Sequence, residues 1–226
     1  MSCDIPTLKE ANTEDFLNIH KAHLELEKTK KNVDLVFLGD SITNFFDRNI
    51  FNKYFGEFNP LNYGICGDQT QHVLYRVNNG LFNIVKPKVV VLLIGINNIG
   101  NDPSNVANCI LKIITTILEK TPNTKILLLS ILPYSETVNG KERQYIKNVN
   151  EIIKNYTNNN IHYLDIGQYF INQDETLKYE LYALDHLHIS TKGYEVFADS
   201  IIKPINNLMK KKVYNKNDIN FLIKHR

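Results

Sequence analysis

Residues 33–42 read VDLVFLGDSI, an apolar run that breaks into Gly-Asp-Ser. The apolar part, residues 33–38, is hydrophobic at almost every position instead of at alternate positions. This pattern is typical of a strand in a parallel sheet that helices cover on both faces. Two further runs of this kind, at residues 89–94 and 126–131, and two weaker ones, at residues 61–63 and 161–164, predict four more strands.

Helical patterns separate these strands. Asp102 and Pro103 give an N-cap followed by proline at the first helical position, and an apolar stripe at helical spacing follows them. A further helix is predicted over residues 141–156, and Ser190 is the expected N-cap of the last helix. Another helix, which carries Phe16, precedes the first strand. Strands that alternate with helices predict an α/β protein with a doubly wound parallel sheet.

The chain is predicted to form one domain. No linker rich in Pro, Gly or Ser divides it, so the domain is expected over residues 1–207. Residues 203–226 carry seven basic side chains and one acidic side chain. We therefore interpret residues 208–226 as a basic, solvated C-terminal extension.

Composition excludes several classes of protein. The 226 residues are 43% hydrophobic with a net charge of +2, which fits a globular domain and gives no reason to expect a nucleic-acid partner. Cys3, Cys66 and Cys109 match no metal-ligand spacing, and their scatter argues against a disulfide framework. The chain starts without the blocks of a signal peptide, and no apolar run could span a bilayer, so a cytoplasmic location without a transmembrane segment is expected.

Ser41 and the Asp185–His188 motif predict acyl-transfer chemistry. Ser41 directly follows the first strand, and Asp185 lies three residues before His188. A tight turn would let Asp185 orient the imidazole, so that His188 could take the proton of the Ser41 hydroxyl. His186 lies too close to Asp185 along the backbone to be oriented by it. The alternative is that Ser41 only caps a helix and that Asp185 only stabilises a turn.

Two segments offer donors for an oxyanion hole. Gly67 lies in a glycine loop that opens a helix, and Asn97 follows the third strand. The N–H groups of Ser41 and Gly67 and the Asn97 amide could surround one oxygen, because the carboxyl ends of neighbouring parallel strands meet at one edge of the sheet.

The neighbours of these groups predict a small acyl pocket. Ile42, Ile96 and Leu187 are adjacent to Ser41, Asn97 and His188, and three branched apolar side chains favour acetyl or propionyl over long acyl chains. Ordinary core packing is the alternative interpretation. Arg76 lies four residues after His72 on one helix face, where it could contact a polar leaving group or form a surface ion pair with Asp68.

Together these blocks resemble the SGNH (GDSL-type) hydrolase family, with Ser41, Gly67, Asn97 and His188 in the order of its name and Asp185 as the partner carboxylate. Residues 33–41, 62–77, 86–89 and 187–190 resemble the subgroup of platelet-activating factor acetylhydrolase catalytic subunits and their bacterial esterase relatives.

The resemblance implies a flavodoxin-like α/β/α fold, a serine esterase without a cofactor or metal, and hydrolysis of acetyl esters of sugars or lipids. It also implies a homodimer. Asn98 stands where many members of the family have Asp, and the subgroup shares this Asn. Phe46 and Tyr75 stand where relatives often have Trp, which bears on contacts with the leaving group.

Two other functions stay open at this stage. The first is an interaction subunit that keeps the hydrolase fold with little or no catalysis, although the candidate triad is intact. The second is a nucleotide or flavin binder, which would need a phosphate-binding loop after the first strand. Asp40 would stand where the anion binds, and this disfavours that function.

Overall fold

A five-stranded parallel sheet forms the centre of the molecule. The computed structural model describes residues 3 and 5–210. The strands are β1 (Leu35–Gly39), β2 (Leu61–Gly64), β3 (Val89–Leu93), β4 (Lys125–Leu129) and β5 (Ile161–Leu164). They pair in the order β2-β1-β3-β4-β5, and every pairing is parallel. This is the flavodoxin-like order, so the expected fold class is confirmed.

Helices precede and follow the strands. They are α1 (Thr13–Thr29), α2 (Ser41–Asn44), α3 (Arg48–Phe55), α4 (Thr70–Asn78), α5 (Pro103–Lys120), α6 (Lys141–Ile153) and α7 (Thr191–Met209). The side chain of Asp102 accepts hydrogen bonds from two N–H groups at the start of α5, and that of Ser190 accepts one from Gly193, as the sequence predicts. The last helix extends to Met209, two residues past the expected end of the domain, and residues 211–226 of the extension lie outside the described part of the chain.

The helix α3 is absent from the sequence prediction. It is only eight residues long, and its buried residues, Ile50, Phe51 and Phe55, are too few to give a clear periodic stripe. Phe51 and Phe55 pack against Phe37 of β1, with ring centroids 5.0 and 4.9 Å apart. An aromatic cluster therefore covers this face of the first strand.

The sheet order places three loops at one edge. The first strand, β1, lies between β2 and β3, with Gly39 in register with Gly64 on one side and with Leu93 on the other. The segments that follow these strands, which carry Ser41, Gly67 and Asn97, therefore begin next to one another. A crevice at this change of direction in strand order is where doubly wound sheets bind ligands.

Within residues 3 and 5–210, none of the helices is long and apolar enough to cross a membrane. The cytoplasmic location and the homodimer expected from the sequence stay predictions.

Candidate active site

Ser41 begins the short helix α2 directly beyond β1. Its neighbour Asp40 caps this helix, because the Asp40 carboxylate accepts a hydrogen bond from the N–H of Ile42 at 3.0 Å. A Cβ at Gly39 would collide with the carbonyl oxygen of Leu93 and the side chain of Thr43. Glycine is therefore required where β1 turns into the helix that presents the serine.

His188 connects Ser41 to Asp185. The distance from His188 Nε2 to Ser41 Oγ is 2.9 Å, and that from His188 Nδ1 to Asp185 Oδ2 is 2.6 Å. Because an ionised carboxylate can only accept, Nδ1 carries the proton and Nε2 is left to accept from the serine hydroxyl. The structure thus brings together all three side chains of the predicted triad.

A tight turn sets the orientation of Asp185. Its Oδ1 accepts hydrogen bonds from the N–H groups of Leu187 at 3.0 Å and His188 at 2.9 Å. Partial burial raises the pKa of Asp185, but the hydrogen bonds from His188 and Leu187 outweigh it and leave that pKa below its usual value. His186 has a φ of 55° and faces elsewhere, with Nε2 3.2 Å from Glu136 Oε1.

The candidate oxyanion donors lie in two loops that are hydrogen-bonded to each other. The Asn97 amide donates to the carbonyl oxygen of Asp68 at 3.0 Å, and the Gln69 amide donates to the carbonyl oxygen of Asn97 at 2.7 Å. The N–H of Ile65 donates to Gly39 O at 3.2 Å, which holds the end of β2 against the end of β1. Hydrogen bonds therefore connect the three segments that carry Ser41, Gly67 and Asn97 at this edge of the sheet.

Arg76 is not a substrate contact, and this sequence prediction is wrong. Its side chain is 0% exposed and cannot reach a ligand. The alternative prediction, a surface ion pair with Asp68, was right about the partner and wrong about the surface. Arg76 donates from Nε and Nη2 to one oxygen of Asp68, and the side chains of both residues are buried. Arg76 also donates to the carbonyl oxygens of Tyr63 at 2.8 Å and Gly39 at 3.3 Å. Arg76 therefore connects the carboxyl ends of β1 and β2 to Asp68 in the interior of the protein.

Comparisons with known proteins identify the family of the chain. The model of the GDSL-like lipase/acylhydrolase family matches residues 37–196. The chain belongs to this family. Platelet-activating factor acetylhydrolase IB subunit alpha1 of Homo sapiens is 32% identical over 183 residues, which cover 79% of this chain and 78% of that protein. The alpha2 subunit of Gallus gallus is 34% identical over 182 residues, which cover 79% and 77%.

Solved structures support the same family fold. A GDSL-like lipase from Bacteroides thetaiotaomicron superimposes with a TM-score of 0.71 at 22% identity, over 85% of this chain and 98% of that one. Membership of the family makes the protein a carboxylic ester hydrolase, as the sequence predicts.

Burial of Asp40 affects the charge balance beneath the site. Asp40 is fully buried, and desolvation, with a smaller contribution from the nearby Asp68 charge, raises its pKa to about 7. Its Oδ2 has no hydrogen-bond partner among the described residues. The one guanidinium of Arg76 is already paired with Asp68, so a neutral Asp40 avoids a second buried carboxylate charge.

The surroundings of the triad are apolar. Ile42 and Ile96 are almost fully buried and belong to the main core, while Leu187 is partly buried against it. Their role as walls of an acyl pocket stays a prediction.

The sequence prediction missed two exposed residues on this side of the molecule. The Phe45 ring is 53% exposed and lies 5.3 Å from the His188 ring between centroids, and Leu184 is 98% exposed in the loop before Asp185. The sequence shows two adjacent aromatics at 45 and 46, and only the structure shows that Phe46 is the buried one and Phe45 the exposed one.

The described residues contain no group of three or more His, Cys, Asp or Glu side chains arranged to hold a metal ion.

Proposed function

We propose that the protein is a serine esterase in which Ser41 is the nucleophile, His188 the general base and acid, and Asp185 the orienting carboxylate. The 2.9 Å contact between Ser41 Oγ and His188 Nε2 is the observation that carries this proposal. As Ser41 Oγ attacks the ester carbonyl carbon, its proton passes to Nε2. Asp185, held by two backbone N–H groups, stabilises the imidazolium that forms.

The tetrahedral intermediate then collapses. His188 returns the proton to the leaving alcohol oxygen, the ester C–O bond breaks, and the acyl group stays on Ser41. A water molecule, deprotonated by His188, attacks the acyl carbon; the bond between this carbon and Ser41 Oγ then breaks, His188 returns the proton to Oγ, and the acid leaves. In both halves the negative oxygen is bound by the N–H groups of Ser41 and Gly67 and by the Asn97 amide. The hydrogen bonds between the Gly67 and Asn97 loops support this role, since preorganised donors are the ones that lower the barrier.

We infer that the substrates are short acyl esters, above all acetyl esters of carbohydrates or lipids. The names of the acetylhydrolase relatives support acetyl as the acyl group. Deep burial of Ile42 and Ile96 beside the reacting groups leaves little room for a long chain. The exposed Phe45 ring next to His188 offers an apolar contact to the leaving group.

The test compares hydrolysis of p-nitrophenyl acetate by the wild type and by Ser41→Ala. Loss of the triad nucleophile should reduce kcat by about 10⁴-fold or more. Ser104→Ala, an exposed serine at the start of α5, is the matched control and should keep full activity. Equal rates for the wild type and Ser41→Ala would favour an interaction subunit that only keeps the fold.

A series of p-nitrophenyl esters tests the acyl group separately. We expect kcat/KM to fall from acetyl to octanoyl, because each added methylene has to displace buried side chains. A rise toward octanoyl would refute the small pocket and leave the triad unaffected. Acetylated sugars and acetylated phospholipids, assayed as acetate release, then identify the leaving group.

A further inference from the structure

The segment before α1 lies against the turn that carries Gly67. The N–H of Thr7 donates to the carbonyl oxygen of Gln71 in α4 at 3.3 Å. The Thr13 hydroxyl, at the start of α1, donates to the carbonyl oxygen of Lys9 at 2.7 Å. The backbone is therefore hydrogen-bonded at Thr7, two residues before Lys9, and at the carbonyl of Lys9 itself. Lys9 lies outside residues 37–196, the part of the chain that the family model matches.

The residues from Ile65 to Asp68 form a β-turn whose geometry can be assigned. The N–H of Asp68 donates to the carbonyl oxygen of Ile65 at 3.2 Å, which closes the turn. Gly67, at the third position, has a φ of 71°, and Cys66, at the second, does not have a positive φ. This combination defines a type II turn.

A type II turn differs from a type I turn in the direction of its central peptide group. Here that group joins the carbonyl of Cys66 to the N–H of Gly67. Rotation of this one peptide group converts type II to type I and turns the N–H to the opposite side. The direction of the Gly67 N–H is therefore decided by whatever holds the Cys66 carbonyl.

Lys9 holds that carbonyl. Its ammonium group donates a hydrogen bond to the carbonyl oxygen of Cys66, and a Cβ added at Gly67 would lie 3.0 Å from Lys9 Nζ. Lys9 itself is half-buried, so that part of its side chain is withdrawn from water. A charge-assisted hydrogen bond of this kind is about twice as strong as a neutral one.

We propose that Lys9 is a positioning residue for the ester hydrolysis, because its ammonium holds and polarises the Cys66–Gly67 peptide group whose N–H is an oxyanion donor. This inference rests on the proposed function. In a trans peptide the carbonyl and the N–H point in opposite directions, so Lys9 lies behind the oxyanion site and does not touch the substrate. The positive charge at the carbonyl draws electron density away from the N–H and makes it a stronger donor.

Lys9 should affect the transition state more than substrate binding. Negative charge on the substrate oxygen is fully developed only in the tetrahedral intermediate, so a better oriented donor raises kcat with little change in substrate binding. Removal of an oxyanion donor costs about 10²–10³-fold in kcat. Because Lys9 acts through such a donor and the donor itself remains, we expect a smaller loss of about tenfold.

The experiment measures kcat and KM for p-nitrophenyl acetate in Lys9→Met, Lys9→Gln and Lys9→Arg. Lys9→Met should lose about tenfold in kcat with KM within about twofold of the wild type. Lys9→Gln keeps a neutral donor and should lose less, and Lys9→Arg keeps both donor and charge and should recover most of the rate. Lys28→Met removes the same charge from an exposed site on α1 and is the control that should keep full activity.

The outcomes separate this inference from the proposed function. A kcat for Lys9→Met within twofold of the wild type, or an equal loss in Lys9→Met and Lys9→Arg, overturns the role of Lys9 provided that the activity depends on Ser41. If Ser41→Ala is as active as the wild type, the proposed function itself fails. A merely structural role for Lys9 would lower Tm and raise KM without rescue by arginine, which also overturns the inference.

Discussion

Arg76 donates two hydrogen bonds to one oxygen of Asp68, from Nε at 3.0 Å and from Nη2 at 2.8 Å, where both side chains are 0% exposed. The other bonds of the guanidinium go to the carbonyl oxygens of Gly39 and Tyr63. One buried cation therefore joins the ends of β1 and β2 to the turn that contains Gly67. The segment that carries Ser41 and the turn that carries Gly67 are therefore both hydrogen-bonded or ion-paired to Arg76.

Removal of either partner should destabilise the fold strongly. Arg76→Met leaves the Asp68 carboxylate buried without its cation, and loss of one partner of a buried ion pair costs about 3–5 kcal/mol. Asp68→Asn should have an effect of the same sign. The measurement is urea unfolding followed by circular dichroism. Arg48→Met, at an exposed position in α3, is the control and should change stability by less than about 0.5 kcal/mol.

The double variant Arg76→Met/Asp68→Leu tests the physical reason. With both charges gone, no unpaired ion remains, so this variant should be more stable than Arg76→Met alone. A double variant that is less stable than Arg76→Met would contradict the buried-charge explanation.

Two carboxylate–histidine pairs, Asp185–His188 and Glu136–His186, should behave differently. Asp185→Asn removes the acceptor that keeps the proton on His188 Nδ1, and we expect kcat to fall by about 10³–10⁴-fold. Glu136→Gln alters the equivalent contact with the neighbouring His186 and should leave kcat unchanged. Steady-state rates with p-nitrophenyl acetate measure both. Similar losses in the two variants would contradict the assignment of Asp185.

Gly67→Ala should impair both stability and rate. The φ of 71° is in the left-handed region, where a residue with a Cβ costs about 1–2 kcal/mol. Relief of this strain would rotate the central peptide of the turn and withdraw the Gly67 N–H, so kcat should fall by about 10²-fold. Gly56→Ala is the matched control, because Gly56 has a φ of −54° and open space around its Cβ position. That variant should be neutral or stabilised by about 0.4–1 kcal/mol.

The parts of the molecule that sequence reasoning predicted are those with a local signal. Three continuous apolar runs and two weaker ones predicted the five strands, and Asp102 and Ser190 predicted two helix starts, because caps and periodicity depend on near neighbours. The spacing of Asp185 and His188 predicted their contact for the same reason. The contact between Ser41 and His188 joins residues 147 positions apart and could be inferred only from the chemistry of the pair.

The burial of Arg76 could not be predicted from the sequence. An arginine on a helix is normally at the surface, and nothing local indicates that its guanidinium lies under the sheet edge. The sequence indicated Asp68 as a partner, but the burial of the pair also depends on the carbonyl oxygens of Tyr63 and Gly39, which only the folded chain brings to the guanidinium. The contact of Lys9 with Cys66 is hidden for the same reason, since 57 residues separate them.

Acidification should change the free energy of unfolding in opposite directions through the buried histidines and through Asp40. Burial, together with the positive charge of Arg76 and the neighbouring His20, lowers the pKa of His23 from 6.5 to about 3. Between these values the unfolded chain binds a proton that the folded protein does not, so this group removes stability as pH falls from 6.5 toward 3. The full difference of one proton corresponds to about 1.4 kcal/mol for each pH unit. His72, whose pKa is lowered to about 4 by burial and by Lys9, acts in the same direction.

Asp40 has the reverse linkage. Its pKa rises from 3.8 to about 7 on folding, so the folded protein binds the extra proton between these values, and stability is lost as pH rises through 7. Urea unfolding of the wild type, His23→Leu and Asp40→Asn, measured from about pH 4 to about pH 8, separates the two contributions. Relative to the wild type, His23→Leu should lose less stability on acidification, and Asp40→Asn should lose more. The slope with pH is compared instead of the absolute stability, because each substitution also changes packing. If both variants shifted the slope in the same direction, the buried neutral state of one of the two groups would be wrong.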